Sequence, residues 1–142
     1  VRYIKEHGIK LFADYRGKDL NASFISDEIR PDYVKINSDE FYETFGNFCQ
    51  IEDGLAEVSK KYHSAFVITR GADDTVCVED GKLFRVDSKR LKAVNPIGCG
   101  DAMTAGIAQA ITEGASLEQA VLLGRDYAAR NAMNLKPGWI LD

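Results

Sequence analysis

Apolar and polar positions along the chain follow two rhythms, one near 3.6 and one near 2 residues, and the changes between them mark its elements. Residues 1–7 read as the end of a helix stopped at Gly8, and "IKLFAD" (9–14) is a short apolar run that reads as a buried strand. "YRGKDLN" (15–21) has the composition of a loop. A weakly helical stretch over 22–29 ends before Pro31, whose ring opposes helix continuation. "YVKIN" (33–37) is the second strand. "SDEFYETFG" (38–46) follows as a short helix, with Ser38 or Asp39 near its N-cap and Gly46 at its end. In "IEDGLAEVSKKY" (51–62), Ile51, Leu55, Val58 and Tyr62 share one helical face, with acids early and lysines late as the helix dipole favours. "AFVITRG" (65–71) is apolar on both faces, which predicts a central strand of a parallel sheet.

The rhythm then shortens. "TVCVEDGKLFRVD" (75–87) places apolar residues at 76, 78, 84 and 86 around Asp80-Gly81, a hairpin signature. Beyond a loop at 95–100, "AMTAGIAQAITEG" (102–114) and "SLEQAVLLGRDYAARNAMN" (116–134) are long helices separated at Gly114 and Ser116. Strands alternating with helices, plus one hairpin, predict a single α/β domain over residues 1–142 with a mainly parallel sheet.

Composition narrows the function classes. With 142 residues, 45% hydrophobic, the chain is long enough for a real core. Its 18 basic and 22 acidic residues leave a net charge of −4, so no electrostatic footprint for nucleic acid or an anionic membrane is present. Cys49, Cys77 and Cys99 form neither a close pair nor a zinc motif, which points to a reducing, cytoplasmic setting. No apolar run approaches the roughly 20 residues that a membrane-spanning helix needs. The chain starts without Met, in what reads as the end of a helix, so the natural start is expected upstream of Val1.

Candidate chemistry concentrates in "VNPIGCGDAMTAG" (94–106). A glycine-rich turn opening a helix exposes backbone N–H groups, and the helix adds about half a positive charge at its N-terminus. Gly98, Cys99 and Gly100 would supply donors for a transferred phosphoryl group, and Asp101 a carboxylate able to take a proton from an attacking hydroxyl. The same residues also make an ordinary capped helix start, and spacing alone leaves both readings open. The GxxxxGK[ST] spacing of a Walker loop is absent, as is the GxGxxG of a dinucleotide-binding oxidoreductase.

"NPIGCGDAMTAG" resembles the C-terminal signature of the PfkB, or ribokinase-like, carbohydrate kinases, and is nearest to the branch containing 1-phosphofructokinases and tagatose-6-phosphate kinases. In order along the chain, "KINSDE" (35–40) looks like that family's KxNxxE segment, and "VITRGADDTVCVEDGKLFRV" (67–86) like its strand, TxG turn and hairpin. The resemblance implies a three-layer α/β/α ribokinase-like fold, ATP and Mg2+ as cofactors, and transfer to a hydroxyl of a sugar or sugar phosphate. It implies Asp101 as catalytic base, an anion hole at Gly98, Cys99 and Gly100, Asn37 beside the ATP phosphates, and Glu40 organising the metal. Thr69 and Gly71 would lie near phosphate or ribose, and Asn131 beside the adenine. Each has a bland counterpart: an Asx turn at Asn37, a first-turn acid at Glu40, a strand end at Thr69 and Gly71. Arg70 would meet either phosphate or solvent.

Three positions depart from the family pattern. Asn95 stands where many members carry an Asp linked to a monovalent-cation site, Cys99 where Ala or Ser is usual, and Arg70 inside the TxG turn. Members of the family are longer, and their N-terminal part supplies the sugar contacts and a β-sheet lid. This chain is therefore expected to be the C-terminal nucleotide-binding half of a sugar kinase, inactive alone, with an incomplete sheet that favours a homodimer. The alternatives are a non-catalytic nucleotide-binding or regulatory module, and a kinase for a nucleoside or vitamin acceptor.

Overall fold

The computed structural model describes residues 2–89 and 93–138. The chain divides into two compact units, 1–85 and 86–142. A short first helix, α1 (Arg2–Glu6), ends before Gly8, which takes the left-handed φ of 67°. The sheet has the order β1-β2-β3-β4-β5. Strands β1 (Phe12–Ala13), β2 (Tyr33–Asn37) and β3 (Ala65–Thr69) are parallel, and β4 (Thr75–Glu79) returns antiparallel to β3 before turning into β5 (Lys82–Val86). At the hairpin tip Asp80 and Gly81 both have positive φ, 49° and 75°, as a two-residue turn matched to strand twist requires.

Strand β3 is central, as its two apolar faces predict, but only β2 lies parallel to it. Residues 70–74 are too few for the crossover that a second parallel neighbour needs, so the chain folds straight back as β4. One face of the sheet carries Val34, Ile36, Phe66, Ile68, Val76 and Val78 into the core. Helices α2 (Gly17–Ala22), α3 (Ser38–Phe45) and α4 (Ile51–Tyr62) supply Leu20, Phe41, Leu55 and Val58 to the same core. Phe41 and Leu55 are fully buried, each contributing roughly 1.5–3 kcal/mol by removal from water. Sheet and helices account for two of the three layers the resemblance implies.

The stretch 15–29 folds differently from its sequence pattern. Residues 17–22 form α2 rather than loop, because Leu20 is buried and Thr44 accepts from the Gly17 N–H (2.8 Å) and the Asn21 side chain (3.0 Å). Residues 23–29 form turns rather than helix. Ile25 is 81% exposed, so the apolar residues there have no common buried face, and Phe24 instead stacks on Tyr62 at 4.1 Å.

The second unit is built on α5 (Cys99–Thr112) and α6 (Leu117–Ala132). Ser116 caps α6 in a reciprocal pair with Gln119, and Gly114 turns the chain at a φ of 89°. The helices touch where Gly106 faces Gly124: a Cβ built on Gly106 would lie 2.9 Å from the Gly124 Cα. Lys89 bonds Asp126 at 2.9 Å and holds that carboxyl below the usual carboxylate range. No described helix is long and apolar enough to cross a membrane.

Candidate active site

In the first unit, the candidate residues gather at the C-terminal ends of the parallel strands, the edge where open α/β sheets hold ligands. Asp14 directly follows β1, Asn37 ends β2 and Thr69 ends β3, with Asn37 and Thr69 opposite each other in register. Beside them the Lys35 ammonium, largely buried, lies 3.3 Å from the Asp14 carboxylate.

Asn37, rather than Ser38 or Asp39, is the N-cap of α3. Its side-chain oxygen accepts the Glu40 N–H at 2.9 Å, and a Glu40 carboxylate oxygen accepts the Asn37 N–H at 2.9 Å. The other Glu40 oxygen lies 3.5 Å from Arg16, which also pairs with Glu43 at 3.3 Å. This reciprocal box fixes the entry of α3 and explains the N-x-x-E spacing without a ligand. It leaves the Asn37 side-chain N–H2 outside the box, at an exposed position. Asn37→Ala is therefore expected to cost about 1 kcal/mol, whereas Asn37→Asp keeps the cap. Denaturant unfolding of the two variants checks this, and an equal loss in both would contradict it.

Thr69 is half-buried, and Gly71 has a φ of 64° with no atom within 4 Å of where a Cβ would stand, so a backbone approach there is open. Arg70, the residue inside the TxG turn, has a settled place: its guanidinium bonds the Asp74 carbonyl at 3.0 Å and the Asp74 carboxylate. Asp74 also meets Arg85 at 3.3 Å, and Arg85 pairs with Glu52. This network holds the turn, and nothing in local spacing signals it, since Arg85 and Glu52 are 33 residues apart.

In the second unit, α5 begins three residues earlier than the periodicity predicts, so Cys99, Gly100 and Asp101 form its first turn. Gly98 caps it with a φ of 79° and ψ of 0°, a conformation that glycine adopts without strain. The Cys99 N–H turns back to the Pro96 carbonyl at 3.3 Å. Among the described residues, the N–H groups of Gly98, Gly100 and Asp101 have no acceptor. At the helix start, the N–H groups of Gly98, Gly100 and Asp101 are thus the ones left open among the described residues, while that of Cys99, the third of the predicted trio, is bonded within the turn. Asp101 itself is exposed.

Asn131 is 0% exposed, and its side chain donates to the Ile97 carbonyl at 2.8 Å and contacts the Cys99 sulfur at 3.4 Å. Its side-chain oxygen accepts the Gly138 N–H at 2.7 Å. Asn95 is legible here too: its oxygen accepts the Ile97 N–H at 3.0 Å, while its N–H2 donates to the Leu135 carbonyl at 3.0 Å. An aspartate at this position would lack that donor.

Unpartnered N–H groups at the head of a helix fit phosphate oxygens. Among the described residues no three His, Cys, Asp or Glu side chains cluster to cage a metal. Magnesium is commonly held by substrate phosphates, waters and one or two carboxylates, and Glu40 is the carboxylate that the resemblance offers for it.

Comparison with known proteins agrees with the motifs. Tagatose-6-phosphate kinase of Staphylococcus epidermidis is 26% identical over 145 aligned residues, covering 99% of this chain and 46% of that protein. Ribokinase of Lactococcus lactis is 27% identical over 127 residues, covering 87% of this chain and 39% of that protein. The chain thus spans less than half the length of these relatives. A structure of phosphofructokinase-2 from Escherichia coli in complex with potassium superimposes with a TM-score of 0.82 at 21% identity, covering 93% of this chain and 44% of that one. The likeness extends the α/β reading to a ribokinase-like fold. With the pfkB family carbohydrate kinase pattern matching residues 3–134, the chain belongs to the pfkB family of carbohydrate kinases.

Proposed function

We propose that this chain carries the ATP-phosphate contacts and the catalytic base of a kinase that phosphorylates a hydroxyl of a sugar or sugar phosphate. The observation that carries the reading is the start of α5, where three N–H groups without acceptors among the described residues stand beside the exposed Asp101.

Asp101 takes the proton of the acceptor hydroxyl as its oxygen attacks the γ-phosphorus of ATP. The bond to the bridging oxygen breaks, and ADP leaves with that electron pair. Negative charge on the transferred group is met by the N–H groups of Gly98, Gly100 and Asp101, already oriented by the helix, so little reorganisation is needed at the moment of transfer. Magnesium, when bound, neutralises phosphate charge. Asn37, Thr69 and Gly71 would serve the nucleotide phosphates or ribose from the strand ends, and Glu40 would hold the metal, when bound, through its waters. The relatives just described, one named for a phosphosugar and one for a free sugar, support an acceptor class that includes both.

Positioning of the acceptor and exclusion of water contribute several kcal/mol to such a barrier. With fewer than half the residues of its relatives, the 142-residue chain by itself is expected to bind Mg-ATP yet turn over little sugar. Calorimetric titration with Mg-ATP and an ADP-release assay with tagatose 6-phosphate, fructose 6-phosphate and ribose test both halves. Absence of Mg-ATP binding overturns the nucleotide reading. Turnover at the rate of intact carbohydrate kinases overturns the inactivity of the isolated chain.

A further inference from the structure

The turn that presents the N–H donors is tied to the end of α6 by two asparagines, and we propose that Asn131, with Asn95 as its counterpart, is a positioning residue for the phosphate-facing turn. The inference rests on the kinase reading for its purpose, but its geometry lies wholly within the second unit.

Three features set Asn131 apart from an ordinary buried amide. Its donor goes to Ile97, the residue immediately before the left-handed Gly98, and its N–H2 also touches Cys99, the residue immediately after it. Its oxygen holds Gly138, so one fully buried side chain spans both sides of the cap and the segment beyond α6. A Cβ on Gly98 would stand 3.6 Å from both polar atoms of this amide and 3.2 Å from Pro137, leaving no slack around the cap.

Asn95 runs the connection the other way. It closes the turn on itself through the Ile97 N–H and reaches across to the Leu135 carbonyl. The Val94 and Asn95 N–H groups add bonds of 2.8 and 3.0 Å to the Ala132 carbonyl. The orientation of Gly98, Gly100 and Asp101 is thus set from the far end of α6 and not by the glycines alone. Catalysis by preoriented donors loses most when the donors are free to move, because the reorganisation they were spared returns. Asn131 touches no reacting atom in this account, and acts through the turn.

Cys99 reports on the turn directly. In a chain carrying Cys49→Ser, the remaining thiols are the half-buried Cys99 and the fully buried Cys77, which lies in the first unit and gauges global opening. Labelling with dithiobisnitrobenzoate is measured for this parent, for Asn131→Leu and for Asn95→Asp. Loss of the Asn131 amide is expected to raise the Cys99 rate about tenfold, the scale of one or two hydrogen bonds, with the Cys77 rate unchanged. Asn95→Asp keeps the bond to the Ile97 N–H and removes only the one to Leu135, so a rise of about threefold is expected, with folding preserved.

Unchanged Cys99 labelling in both variants overturns the proposal. So does a rise in Asn95→Asp that Cys77 matches, since that is global loosening. Should Asn131→Leu fail to fold, Asn95→Asp decides alone. Tripolyphosphate is the separate arm: it is expected to slow Cys99 labelling in the parent and to do so at higher concentration in the variants. No protection in the parent refutes the phosphate-binding reading of the turn, whereas variant rates that rise all the same leave the positioning role standing.

Discussion

Asp101→Asn is expected to slow phosphoryl transfer by the enzyme carrying this segment about 10²–10⁴-fold, the range associated with losing a positioned general base. The amide is nearly the same size and keeps the N–H groups of the first turn of α5, so the affinity for Mg-ATP should change by no more than about threefold if the carboxylate serves the acceptor hydroxyl rather than the nucleotide. A kcat that falls while the ATP dependence stays put is the signature sought in an ADP-release assay. A first-turn acid with no catalytic duty predicts something else. It stabilises the helix through the dipole by about 0.3–1 kcal/mol, and its loss would show in denaturation and leave the rate alone. The two accounts therefore part on kcat, and unchanged turnover in Asp101→Asn would remove Asp101 from the chemistry.

Gly124→Ala carries the largest expected effect on stability. A Cβ at this position would lie 2.7 Å from the Met103 carbonyl oxygen and 2.7 Å from Ile107 Cγ1, and the first of these is backbone that cannot swing aside. The helices must separate to admit one methyl group, which is expected to cost about 2–3 kcal/mol, read as a lower denaturation midpoint. Gly106→Ala presses on the same place from the other side, with its Cβ 2.9 Å from the Gly124 Cα and 3.0 Å from the Tyr127 ring. Since either change opens the same gap, the double variant should lose less than the sum of the two. Additive losses, or a neutral Gly124→Ala, would show that the contact is not the limiting one. The effect would reach the turn as well, because α5 starts at Cys99 and α6 carries Asn131 near its end.

Several elements were legible in the sequence because their causes are local. Helix α4 runs over the residues its periodicity predicts, β2 occupies "YVKIN", and the Asp80-Gly81 hairpin has the φ values that dipeptide favours. The turn-helix entry at Gly98 and the family motifs were visible for the same reason: each is a continuous run of residues, 35–40, 67–86 and 95–106. Helix α2 was not visible. It has one buried apolar residue, Leu20, and its support comes from Thr44 more than twenty residues later. The helical rhythm over 22–29 failed for the converse reason, since Ile25 finds no core to face.

The candidate site divides along the same line. The segments 35–40, 67–86 and 95–106, in that order along the chain, carry a resemblance to the pfkB family, and the family match over residues 3–134 bears it out. Only the tertiary structure decided what each side chain does with its hydrogen bonds. It closed Asn37 and Glu40 into a cap, gave Arg70 to Asp74, and turned the Cys99 N–H toward Pro96. It also buried Asn131 against Ile97, a partner 34 residues away in sequence. A polar side chain's partners depend on which distant backbone groups the fold brings within about 3 Å and shields from water, and a local sequence pattern carries no record of that distance.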